Sequence, residues 1–397
     1  MIKVKRTVKI AILLGVLLLV FVSGCMPGMG GGGAGCGAQA QGWSGFAPYN
    51  KVICFGSMDG AVIALSPQAR SENKTFPAES EWIYVIKTAA PGAACGAMCA
   101  PSSAASGRGI YDTPLVIGDL VYVGTYTGKV YALNANRGVV RWIYPREGYE
   151  TAGAIVGDMI TDGQTIYFGS ANGKIYALDA LTGDFKWEFQ TSNKIWTAPV
   201  LDNGVIYAGN YGGNVYAIAA ETGREIWSIK ILSAVASSLA VKGQLLYFGT
   251  FDRYLYAVDK ADGQEKWKFS ASNWFWATPV VRDGTIYAAC LDKRIYAIDA
   301  VSGKEVWQYT GDSQMVSTPA VTDKYVYAVS EKGTLYKLDL TNGKMISSIP
   351  LGYTVYGNPY VEGDMVYIYA RDHTVYAVDT VKNIITWNFS SAIKQDK

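Results

Sequence analysis

Tyrosine returns every 40 residues through more than half of this chain. Tyr167, Tyr207, Tyr247, Tyr287, Tyr327 and Tyr367 keep that spacing, and Tyr122 joins them after a five-residue insertion. Tryptophan keeps the same register at Trp142, Trp187, Trp227, Trp267, Trp307 and Trp387, with Ser347 at the sixth of the seven places. A more divergent copy precedes them through Cys54-Phe55-Gly56, Gly60, Ala64-Leu65 and Trp82, which makes eight. A fixed period of this length means one small unit used repeatedly, each too small to bury its own apolar face.

Within a unit the apolar runs are short. Thr278–Val281, Thr285–Ala289, Arg294–Asp299 and Glu305–Tyr309 are rich in β-branched and aromatic residues and are broken by Asp-Gly, Asp-Lys and Ser-Gly turns. No unit has a 3.6-residue apolar period, so helical repeats are excluded. The expected fold is therefore all-β: an eight-bladed β-propeller of four-stranded antiparallel blades over residues 43–397. The last unit has all four strands, ending near Phe389, whereas the first shows three clear ones. Either Trp43–Tyr49 supplies the missing inner strand or the tail Ser390–Lys397 closes the ring.

The segment Ala177-x-Asp179-x-x-Thr182-Gly183-x-x-x-Trp187 resembles the tryptophan-docking motif of quinoprotein (PQQ) propeller repeats. Ala257, Asp259, Gly263 and Trp267 match it, as do Ala297, Asp299, Gly303 and Trp307, and the resemblance runs from about residue 43 to 390. It implies that Trp82, Trp142, Trp187, Trp227, Trp267, Trp307 and Trp387 are structural, each stacking between blades against backbone near the Gly and the Ala. The residue chemistry agrees, since Gly gives positive φ at a strand turn and Asp accepts backbone N–H bonds there. The departures are Ala219 for Asp, Lys337 for Ala, Ser347 for Trp and Asn383 for Gly. They lead to the expectation that the seventh unit docks most loosely.

The N-terminus is of another kind. Lys3, Lys5, Arg6 and Lys9 precede the 13-residue apolar run Ile10–Val22, too short for a bilayer span of about 20 residues. Charge followed by a short apolar core is the layout of a secretory signal. Val22-Ser23-Gly24-Cys25 resembles the bacterial lipobox, which implies a signal peptide over 1–24 and acyl chains on Cys25. Residues 25–42 follow as a Gly-rich tether, and 90–107 form a Gly/Ala/Pro/Ser insertion between the first and second blades. The expected location is a membrane reached by export: the outer membrane facing the periplasm, or the extracytoplasmic face of the cytoplasmic membrane. Without residues 1–24 the balance is 31 basic against 33 acidic, with no basic cluster, which excludes nucleic acid as a partner.

Candidate chemistry is sparse. The Asp row (Asp179, Asp259, Asp299, Asp339, Asp379) places one carboxylate per blade, a spread that cannot converge on one substrate and reads as turn capping. Cys54 and Cys290 lie in strands as expected core thiols. Cys95 and Cys99 lie in the insertion and Cys36 in the tether; export permits a Cys95–Cys99 disulfide or one of them with Cys36. C-x-x-x-C without a second pair or a nearby His is not a zinc pattern. His373, the single histidine, is expected to be solvated in the turn Arg371-Asp372-His373, and no Gly-x-Ser-x-Gly elbow accompanies it.

One set remains. Tyr111, Trp196, Ala236, Trp276, Val316 and Tyr356 stand three residues before the inner-strand Pro or its equivalent, with Trp274 beside them. Tyr111, Trp196, Trp274, Trp276 and Tyr356 either ring the channel mouth as a binding surface or pack between inner strands and plug it.

Lipobox, tether and a propeller without concentrated catalytic groups resemble the BamB family of outer-membrane β-barrel assembly lipoproteins. The resemblance implies a non-catalytic scaffold without a cofactor. Its partners would be envelope proteins, including an integral β-barrel assembly protein; no stretch here matches that family's partner-contact loops, and the inter-blade loops Asn193–Trp196, Asn273–Trp276 and Tyr353–Tyr356 are the expected partner surface. A PQQ-dependent dehydrogenase, with PQQ and calcium, is one alternative; the adjacent Cys-Cys pair of those enzymes does not occur here. A small-molecule or glycan receptor using the aromatic mouth is the other.

Overall fold

The computed structural model describes residues 43–86 and 109–392. The signal, Cys25, Cys36, the tether, the insertion with Cys95 and Cys99, and residues 393–397 lie outside the described residues. Eight four-stranded antiparallel sheets form blades 1 to 8 at 46–85, 115–144, 160–190, 200–230, 240–270, 280–310, 320–350 and 360–390. Strands pair in chain order within each sheet, and the first strands of successive blades touch one another, so they stand innermost. In blade 6 the inner strand is shorter than the sequence predicts, Val280–Arg282. Thr278 turns its N–H to Thr318 Oγ1 of the next blade at 3.1 Å instead.

Phe46–Tyr49 pairs with Val52–Gly56, which settles the closure. Blade 1 is complete in itself and the last strand ends at Ser390, so the ring closes by packing blade 8 on blade 1. The middle strands of a blade are covered on both faces, as in Thr165–Gly169, and are continuously apolar. Outer strands such as Phe185–Gln190 alternate, exposed and half-buried. Eight apolar clusters result, one at each seam between neighbours.

The tryptophans lock six of the seams in one way. Nε1 of Trp82, Trp142, Trp187, Trp227, Trp267 and Trp307 donates to the carbonyl of Ala135, Ala180, Ala220, Lys260, Ala300 and Leu340 in the next blade, at 2.8–3.2 Å. The indole face lies on the glycine that ends the facing turn. A Cβ on Gly183 would sit 2.6 Å from the Trp142 ring, and Gly183 also has φ +73°. Burying one indole is worth about 4–6 kcal/mol by area. The 40-residue tyrosine row feeds the same acceptors: Tyr122 and Tyr247 hydroxyls donate to Ala180 and Ala300 carbonyls at 2.8 and 3.1 Å. The aspartates cap the turns, Asp179 Oδ1 taking the N–H groups of Leu181 and Thr182 at 3.0 Å.

Two expectations need correction. The seam after blade 7 is not left open by its departures. Lys337, directly opposite Ser347 in the strand pair, is buried and fills the place of the indole, as a long side chain on one strand replaces a large one on its neighbour. His373 is only partly solvated. Its Nδ1 lies 3.1 Å from Asp59 Oδ2 across the closing seam, with 27% of the side chain exposed, because its turn abuts blade 1. A short helix absent from the expectations above, Pro67–Ser71, capped by Ser66 Oγ, stands where the other blades turn tightly into their fourth strand. Beneath it Glu81 accepts from Arg70 at 2.8 Å and from the N–H groups of Ser66 and Ala78. Arg70 in turn lies 5.8 Å from the rings of Phe76 and of Phe389 in blade 8.

Candidate functional site

At one face of the ring the chain enters each inner strand through a buried apolar anchor, among them Ile110, Ile195, Phe275 and Val355, all at most 1% exposed. The residue after each anchor heads the inner wall. Four sequence candidates, Tyr111, Trp196, Trp276 and Tyr356, occupy such positions, and strand register places Trp43 at the equivalent point of blade 1. A second row follows 15 residues later in the next turn: Tyr126, Tyr211, Phe251, Leu291, Glu331 and Arg371. Backbone bonds tie the rows, with Tyr211 N–H to Lys194 O at 3.0 Å and Arg371 N–H to Thr354 O at 2.8 Å.

The rows do not form a continuous funnel. They gather into two aromatic arcs. In the first, Trp43 meets Tyr111 edge-on at 4.6 Å and Tyr356 at 5.7 Å, and Tyr111 meets Tyr126 at 5.4 Å. Tyr356 donates to Glu331 Oε1 at 3.0 Å and carries the Arg371 guanidinium 5.5 Å above its ring. Tyr111 is buried, and that burial pushes its hydroxyl pKa up.

The second arc spans blades 4 to 6. Trp196 meets Tyr211 at 4.9 Å, Tyr211 meets Phe251 at 5.5 Å, and Phe251 lies between Trp274 at 4.7 Å and Trp276 at 5.8 Å. Each of these residues is half-buried and keeps part of its surface exposed. Lys194 Nζ sits 3.7 Å from the Trp196 ring and 4.5 Å from that of Tyr211, and burial lowers its pKa. The structure thus brings Trp196, Trp274 and Trp276 together, and sets Tyr111 and Tyr356 apart from them. Sequence reasoning missed Trp43, Tyr126, Tyr211, Phe251 and Lys194. The signal was present: the second row keeps the 40-residue period of the repeat.

Next to the inner strands, side-chain acceptors tie several blades to the next. Thr113 N–H donates to Asp158 Oδ1 at 2.6 Å, Ala198 N–H to Ser238 Oγ at 2.8 Å and Thr318 N–H to Asn358 Oδ1 at 2.8 Å. Asp112, fully buried, takes the place that Ser44 and Ser237 hold in other blades, accepting the Gly124 N–H at 2.7 Å. Its Oδ1 has no partner, and burial holds its carboxyl well above the usual range, with Asp158 adding like charge. The docking tryptophans lie elsewhere, in the outer strands. Cys54 and Cys290 are buried free thiols, and burial pushes Cys54 up to about 12. Among the described residues no three His, Cys, Asp or Glu side chains converge as a metal site.

The model of the β-propeller of the β-alanine-activating enzyme matches residues 107–390, which hold blades 2 to 8. The chain belongs to this propeller family. The PQQ-type repeat read from its tryptophan motif fits that membership. No curated protein matches the sequence. Among solved structures, BamB from Moraxella catarrhalis is 18% identical with a TM-score of 0.66, covering 84% of this chain and 93% of that one. The computationally designed Ika8 protein is 17% identical at 0.68, covering 85% and 96%. The quinohemoprotein alcohol dehydrogenase ADHIIG from Pseudomonas putida HK5 is 15% identical at 0.59, covering 70% and 66%. Likeness at these identities is likeness of fold, shared by BamB, a designed protein and an oxidoreductase alike.

Proposed function

We propose that this chain is an exported, lipid-anchored propeller that docks a protein partner in the cell envelope and carries no catalysis of its own. The half-exposed aromatic arc from Trp196 to Trp276, on three successive blades, is the observation that carries this reading. Trp and Tyr supply most of the energy of protein interfaces, in central clusters ringed by polar side chains. The lipobox at Cys25 and the tether up to residue 42 support attachment to a membrane, and the BamB-like fold supports envelope assembly machinery as the partner.

Cross-linking in native membranes, followed by pull-down of the full lipidated chain, tests it. An integral β-barrel or other envelope assembly is expected with the wild type, and not with Trp274→Ala/Trp276→Ala. Recovery of the chain alone removes the scaffold reading and returns attention to small ligands at the mouth.

A further inference from the structure

The second arc holds two donors that the fold leaves unused. Trp196 Nε1 is buried and has no hydrogen-bond partner. The six docking indoles of the seams all find a carbonyl, so an orphaned N–H is the exception in this molecule. Lys194 Nζ lies on the face of that same indole, half-buried, and no carboxylate stands within ion-pair distance of it among the described residues. Other part-buried lysines of the blades do have one, as Lys174 has Glu188 and Lys260 has Asp202, both at 2.6 Å. Burying an ammonium and an indole N–H without acceptors costs free energy that an incoming acceptor recovers. The opposite arc is locally balanced, since Tyr356 joins Glu331 and Arg371.

Resting on the docking reading above, we propose that the occupant of this arc is an acidic, aromatic segment of the partner protein. Its carboxylate meets Lys194 and the Trp196 N–H, and its flanking apolar side chains lie against Phe251, Trp274 and Trp276. Charge complementarity chooses the occupant. A neutral apolar segment would leave both donors dry and unpaired, and a basic one would face the ammonium at short range.

The test uses the full chain and two N-acetylated, C-amidated tripeptides, Phe-Asp-Phe and its neutral isostere Phe-Asn-Phe, titrated by calorimetry. The acidic peptide is expected to bind about tenfold tighter, with the preference shrinking as salt rises. Lys194→Met keeps the stacked stem and should equalise the two peptides, whereas Lys194→Arg should retain the preference. Trp276→Leu should weaken both. Equal binding by the wild type, or a preference that survives Lys194→Met, overturns the proposal; so does galacturonate binding as tightly as the acidic peptide. Membrane pull-down separates the two readings. A partner recovered equally by wild type and Lys194→Met leaves the scaffold standing and removes the acidic occupant. Peptide preference with no partner recovered does the reverse.

Discussion

Lys337 Nζ donates to the carbonyl of Thr380 at 3.2 Å, the acceptor that six other seams give to an indole. Three of the four departures from the docking motif meet at this one seam. Ser347 removes the tryptophan, Lys337 replaces its cross-strand alanine, and Asn383 stands at φ +57° where other blades need glycine under an indole. With no ring above it, the Cβ of Asn383 is tolerated. The Lys337 ammonium also lies 4.1 Å from the Tyr325 ring, so its charge is met on two sides.

Lys337→Ala should therefore destabilise the ring by about 2 kcal/mol, since it leaves the Thr380 carbonyl dry and a cavity at the seam. Ser347→Trp alone should not repair it, because the new indole meets the Asn383 side chain. The triple variant Lys337→Ala/Ser347→Trp/Asn383→Gly should recover most of the loss in urea unfolding. Equal stability of the single and triple variants would disprove the compensation.

Two left-handed glycines, only one of them under an indole, separate two costs. Gly284 has φ +78° and nothing within 4 Å of a would-be Cβ, so Gly284→Ala should cost only the left-handed backbone, about 1 kcal/mol. Gly183→Ala adds a clash with the Trp142 ring at 2.6 Å and should cost about 1–3 kcal/mol more. Thermal melts of the two variants side by side measure the difference.

Asp112 predicts an unusual pH dependence. Its folded-state pKa is raised, so the folded chain keeps the proton to higher pH than the unfolded chain, whose carboxyl ionises near pH 4. Stability from this group is therefore full below about pH 4 and declines as pH climbs through the folded value. Asp112→Asn keeps the acceptor for the Gly124 N–H. It should raise stability at pH 7 by about 1–2 kcal/mol, with the gain vanishing in acid. Urea midpoints at pH 5 and pH 7 read this directly, and a loss at pH 7 would contradict it.

The closing seam depends on a buried ion pair. Glu81→Ala strands Arg70 and frees the N–H groups of Ser66 and Ala78, so about 3–5 kcal/mol should be lost. Limited proteolysis should then cut first between the helix Pro67–Ser71 and Trp82, before any other blade opens.

The repeat made the architecture legible. A 40-residue period, strand-length apolar runs and the Asp, Gly and Trp of each turn determine blades, their number and their docking, because each unit meets its neighbours in the same way. Seen from the sequence, Lys337, Ser347 and Asn383 look like three defects. The tertiary structure makes them one substitution, since residues from two blades share a seam that no single repeat contains. The mouth divides likewise. Trp196, Trp274 and Trp276 are periodic and visible, but their union with Tyr211, Phe251 and Lys194, apart from Tyr111 and Tyr356, follows from which blades stand side by side. Period is a property of one unit, and so the sequence alone determines it. Which side chains meet across a seam, and which donors remain unpaired there, depends on ring closure in three dimensions, and only the fold decides that.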